Sequence, residues 1–124
     1  MAYKKQYQKR VLDWIVQCFA HTTIYDVQER NKRFLEESLE LVQSLELPKE
    51  EAYKMVDYVY GRKEGETKQE VGGVMVTLAI LCEVNGISMR SAAEIELWRI
   101  NKNIPQIQAK QKFKFIAGAT SKES

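Results

Sequence analysis

Residues 71–82 read VGGVMVTLAILC, twelve positions in a row without a charge. Placed on a helix, they put apolar or small side chains in every direction around the axis, and a helix apolar all round is buried on all sides. The run falls well short of the roughly 20 residues that a membrane span needs. It therefore predicts a core helix. A chain of 124 residues can build one core, but rarely a bundle that encloses one of its own helices completely. The missing wall is expected from a second copy of the chain, in a homo-oligomer that is a dimer or a tetramer.

The flanks frame this helix. Thr67 with Glu70 three residues later has capping-box spacing and predicts the helix start, and Asn85-Gly86 predicts its end. Upstream, residues 61–68 (GRKEGETK) are charged, hold two glycines and lack periodicity, which reads as a loop. Before it, a third helix is expected over about 49–60, burying Ala52, Met55, Val56 and Val59, with Leu47-Pro48 separating it from a second helix over about 27–45. Asp26 and Glu29 have the spacing to cap that second helix. A first helix is expected over about 5–20, with Val11, Leu12, Ile15, Val16 and Phe19 at helical spacing and Trp14 beside them. His21-Thr22-Thr23 reads as a break, with His21 as a C-terminal cap. Downstream, Ser88 caps a fifth helix that runs through Ile95 and Trp98 toward Asn103, and Pro105 kinks or restarts it. No internal repeat is visible, and residues 120–124 read as a disordered tail. The fold class is all-α, a bundle of about four to five helices in one domain, residues 1–119, completed by homo-oligomerisation.

Composition agrees. The chain is 44% apolar with two prolines and six glycines, so few breakers interrupt stretches rich in helix-favouring residues. A formal net charge of +2 makes no demand for nucleic acid or membrane as a partner. Positive charge does gather at the C-terminal end, in Arg99, Lys102, Lys110, Lys112, Lys114 and Lys122. Cys18 and Cys82 lie among apolar residues without a C-x-x-C spacing, which predicts reduced, buried thiols and a cytoplasmic protein. The N-terminal residues lack the apolar stretch of a signal peptide.

Chemistry is concentrated in residues 34–42, FLEESLELV. At about 100° per residue, Phe34, Leu35, Leu39, Leu41, Val42 and Leu45 share one broad side of the helix while Glu36, Glu37 and Glu40 gather on the other. Glu37 and Glu40, one turn apart, can both reach a single cation. Carboxylate oxygens suit Mg²⁺, which keeps several waters and shares its coordination with substrate phosphates. A solvated acidic face gives the same pattern. Glu70 also has two readings, as the last residue of the Thr67 capping box or as a carboxylate held by a metal at the start of a buried helix. Gly72 and Gly73 follow it, each costing about 1 kcal/mol relative to alanine, so close approach of a helix or a ligand is expected there.

Glu36-Glu37-Ser38-Leu39-Glu40 resembles the E-E-x-x-E helix motif of the MazG-like nucleotide pyrophosphohydrolases, and Glu70-Val71-Gly72-Gly73 stands where that family has E-x-x-D. Val74-Met75-Val76-Thr77-Leu78-Ala79 is similar to the apolar continuation of the family's second motif helix. The likeness spans about residues 26–103. It implies an all-α oligomer that hydrolyses nucleoside triphosphates, (d)NTP, to (d)NMP and pyrophosphate with Mg²⁺, or Mn²⁺ in its place, in nucleotide-pool housekeeping. It implies Glu37, Glu40 and Glu70 as metal ligands, and Glu36 as a supporting acid or water-orienting base. Gly73 departs from the pattern by removing the fourth carboxylate. Asp57, between Val56 and Tyr58, is the candidate replacement, its alternative being an exposed residue near Lys54.

For the phosphate tail, Arg33, Arg62, Lys63, Arg99, Lys102 and Lys110 are the candidate cations, and Tyr53, Tyr58, Tyr60 and Trp98 the candidate base-stacking rings. Two other classes compete. One is a non-catalytic nucleotide-binding protein that has lost its fourth ligand. The other is a nucleic-acid binder using the basic C-terminal arm; it ranks last because the arm has few arginines and no recognisable binding motif.

Overall fold

The computed structural model describes residues 6–19 and 21–116, and the regular structure among them is entirely helical. In chain order the helices are α1 (Tyr7–Cys18), α2 (His21–Ile24), α3 (Val27–Ser44), α4 (Lys49–Tyr60), α5 (Thr67–Val84), α6 (Met89–Lys102) and α7 (Ile104–Ile116). Two of these add to the elements expected. His21 opens the single turn α2, and α1 is closed by the Phe19 N–H donating to the Ile15 carbonyl. Pro105 restarts the chain as the second residue of α7, a first-turn position where its missing N–H costs nothing. The tail expected over 120–124 lies outside the described residues.

The chain divides into two units: Met1–Lys32 with Ala93–Ser124, and Arg33–Ala92. In the first, α1 packs on α7 and α2. Cys18, Ile24 and Leu97, the buried side chains among the described residues, all belong to it. Of the apolar residues assigned to α1, Val11, Leu12, Trp14, Ile15 and Phe19 are half-buried, whereas Val16 is exposed. Trp14 and Phe19 meet edge to face with centroids 6.3 Å apart. Polar ties reinforce this packing: the Tyr7 hydroxyl donates to the Ala93 carbonyl at 3.0 Å, and the Arg10 guanidinium forks onto both carboxylate oxygens of Glu94. Burial, and then the Glu94 charge, push the Tyr7 hydroxyl above its ordinary pKa. Burial alone does the same to the Cys18 thiol, which is free, as is Cys82.

The second unit behaves differently. Among the described residues it contains no buried side chain. Ala52 is half-buried, but Met55, Val56 and Val59, assigned to the core from their spacing, are exposed. The expectation that α5 is enclosed also fails within one chain: Val71, Val76 and Val84 are 59%, 69% and 71% exposed. The physical reason is that no two of α3, α4 and α5 pack on each other along their lengths.

A regularity of the backbone was not visible in the residues. α3 and α5 each span 18 residues, and α4 and α6 begin at the same distance after them, so three boundaries recur forty positions on: Val27 and Thr67, Ser44 and Val84, Lys49 and Met89. The turns match bond for bond. After α3, Leu47 N–H donates to the Val42 carbonyl and Glu46 N–H to that of Gln43; after α5, Ile87 donates to Cys82 and Gly86 to Glu83. Both are Schellman turns, whose middle residue must be left-handed. Gly86 takes φ +65 without strain, while Glu46 takes φ 68 against its Cβ.

Candidate metal centre

The two acidic segments are positioned by their helix starts. Asp26 Oδ1 accepts from the Glu29 N–H at 3.1 Å at the head of α3, as its spacing predicts. At the head of α5 the cap lies one residue earlier than expected. Glu66, extended at φ −94 and ψ 129, accepts from the Gln69 N–H at 3.1 Å, and Thr67 is the first helical residue. This correction bears on Glu70, which is therefore not the closing member of a capping box. Its carboxylate has no hydrogen-bond or ionic partner among the described residues.

Glu70 curls toward the preceding loop. A methyl group at Gly65 would overlap its Oε2, so the glycine supplies the room in which the carboxylate lies. Sequence reading missed Gly65, whose signal was a glycine just ahead of an acidic helix start. One turn on, a Cβ at Gly73 would stand 3.9 Å from Glu70 Oε1, an ordinary contact. An aspartate at this position would thus lie beside Glu70.

On α3, Glu40 is exposed and likewise has no ionic partner, and Glu37 lies one turn before it. Glu36 is half-buried and held by Arg33, whose Nη1 donates to Oε1 at 2.8 Å. That pair commits Arg33 to a carboxylate rather than leaving it for a phosphate. Asp57 is exposed on α4; Lys54 pairs with Glu51 at 3.0 Å and not with it. Within one chain, among the described residues, no three of these acids come close enough to hold a metal ion.

Of the candidate cations, Arg62 lies over the Tyr58 ring at 4.2 Å and Lys63 is exposed beside it, both in the unit that carries the acids. Arg99, Lys102 and Lys110 belong to the other unit. There Arg99 grips Glu96 with two hydrogen bonds, at 2.9 and 2.5 Å, which hold the Glu96 carboxyl below its ordinary pKa. Lys102 lies over the Trp98 ring at 4.2 Å, and Lys49 over Tyr53 at 5.6 Å. The exposed rings proposed for base stacking thus already carry cations on one face, except Tyr60.

The described residues define an all-α chain with two acidic helix segments and no single helix long and apolar enough to cross a membrane. Compared with protein-family models, curated proteins and solved structures, the chain matches none of them.

Proposed function

We propose that this chain is a Mg²⁺-dependent nucleoside triphosphate pyrophosphohydrolase resembling the MazG-like enzymes, acting as a homo-oligomer. The observation that carries the reading is that Glu40 and Glu70, the two motif carboxylates least explained by local structure, are uncommitted: neither caps a helix and neither pairs with a cation. Free carboxylate oxygens are the donor set that Mg²⁺ takes, and Mn²⁺ accepts the same ligands. Glu37 completes the set on α3. When bound, the ion polarises a phosphoryl oxygen and lowers the pKa of a water. The reaction adds one water across the α–β anhydride and releases monophosphate and pyrophosphate.

Glu36 stands one residue from the ligand Glu37 and is oriented by Arg33, which suits it to accept a hydrogen bond from the attacking water. Arg62 and Lys63, in the same unit, provide positive charge for the triphosphate. The test is pyrophosphate release from a panel of dNTPs and NTPs with Mg²⁺. Glu40→Gln and Glu70→Gln are each expected to cut kcat/KM by about a hundredfold or more, with helical content by circular dichroism unchanged. Near-normal turnover in either variant removes that residue from the site.

One observation favours a second reading, a nucleotide-binding protein without turnover: Gly73 leaves Glu70 without its neighbouring carboxylate, and Asp57 has not moved in to replace it. Tight Mg²⁺-nucleotide binding with no pyrophosphate from any nucleotide selects this reading over the first.

A further inference from the structure

Three glycines stand near Glu70 in the sequence, Gly65, Gly72 and Gly73, and they are not equivalent. A Cβ at Gly72 would meet nothing within 4 Å, and one at Gly73 would make only an ordinary contact with Glu70 Oε1. A Cβ at Gly65 would overlap Oε2 and come to 3.1 Å from Cδ and 3.5 Å from Cγ, so its three nearest neighbours all belong to the Glu70 side chain. Backbone conformation gives no reason for glycine at 65, because among the described residues Gly86 is the glycine with positive φ. We infer that Gly65 is a positioning residue for metal binding: by lacking a side chain it lets the Glu70 carboxylate fold back over the loop ahead of α5, the pose in which that carboxylate takes the cation. This rests on the metal-dependent reading given above.

Helix geometry accounts for the pose. Side chains on an α-helix lean toward its N-terminus, and a carboxylate in the first turn is drawn the same way by the unpaired N–H groups at that end. Residue 65 lies in that path. The loop has little freedom to yield to a methyl group, because it is tied to the same helix start. Glu66, next to Gly65, accepts the Gln69 N–H on its side chain at 3.1 Å and the Glu70 N–H on its carbonyl at 3.0 Å. The carboxylate must move instead. Restoring normal contact takes a shift of about 1 Å, against a tolerance of about 0.5 Å for a group that must meet a ligand. Because Oε2 lies over Gly65 and Oε1 lies toward Gly73, each oxygen is flanked by a glycine. Such a carboxylate leaves space for the waters that Mg²⁺ retains.

The test reads Mn²⁺ binding to the whole chain by electron paramagnetic resonance, in the wild type and in Gly65→Ala, with helical content checked by circular dichroism. Gly65→Ala is expected to keep its helices and to lose about ten- to a hundredfold in Mn²⁺ affinity, as substitutions behind a metal ligand do. Unchanged or tighter binding overturns the inference and leaves the metal-dependent reading standing. A wild type that binds no Mn²⁺ overturns both. A second measurement needs no metal. The shift in urea midpoint on Gly65→Ala is compared in two backgrounds, one with Glu70 and one with Glu70→Ala, a double-mutant cycle for the overlap. With the carboxylate removed, the methyl group should raise the midpoint by restricting the unfolded chain. With Glu70 present the rise should be smaller or reversed. Equal shifts would show that the carboxylate does not lie over residue 65, and would overturn the inference whatever the Mn²⁺ affinity.

Discussion

The two units are built from helices of similar regularity, yet one has a core and the other does not. In the first, Cys18, Ile24 and Leu97 are buried, α1 packs on α2 and α7, and the Arg10–Glu94 fork joins segments far apart in sequence. In the second, no described side chain is buried, although residues 71–82 are the most apolar stretch in the chain. Hydrophobic content and hydrophobic burial are thus separate properties. An amphipathic helix states which side wants to leave water; only the neighbouring surface determines whether it does.

Substitutions at one site in each unit sharpen this contrast. Val76→Glu in α5 removes little packing within its own chain, where Val76 is 69% exposed. If a second copy covers it, the variant buries an unpaired charge and weakens association by about 3 kcal/mol or more, a hundredfold rise in dimer dissociation constant measured by sedimentation. An unchanged constant would remove α5 from the interface. Leu97→Ala, in the first unit, is expected to cost about 2–5 kcal/mol of unfolding free energy by leaving a cavity, with the dimer constant unaltered.

The matched turns allow a finer comparison. Replacing Glu46 by glycine relieves a left-handed residue and is expected to stabilise the fold by about 1 kcal/mol, while Gly86→Ala, imposing the same conformation on a Cβ, costs about the same. Chemical denaturation measures both, and equal signs would contradict the assignment of the two turns to one geometry. The smallest effect concerns Glu96. Because Arg99 holds its folded pKa below the ordinary value, the pair contributes above the ordinary carboxylate pKa and is lost as pH falls through the folded one. Both side chains are more than half exposed, so after solvent screening Arg99→Ala should lower stability at neutral pH by only about 0.3 kcal/mol, the difference vanishing in acid.

Much of the local structure was legible from residue chemistry. The limits of α4 follow from Pro48 and Gly61, and Asp26 and Ser88 cap the helices that their spacing assigns to them. The errors have local causes. Thr67 is a better N-cap than glutamate by preference, so Glu66 was overlooked. The match between α3 and α5 was invisible because the turn and the helix length recur while side chains do not. For the candidate site, Glu37 and Glu40 could be placed on one face of α3 by periodicity alone. That Glu70 is free of capping depended on a one-residue shift, and that it does not meet α3 within the chain depended on packing, which periodicity does not encode.

The twin turns at Glu46 and Gly86 also bear on kinetics. Each is closed by hydrogen bonds between residues no more than five apart, so the helix–turn–helix segments can form in about a microsecond to ten microseconds, the time of local structure. Encounters between two chains at micromolar concentration are far slower. The second unit would then meet its partner as preformed rods, and the rate at which refolding reaches its end point should rise in proportion to the amount of chain present.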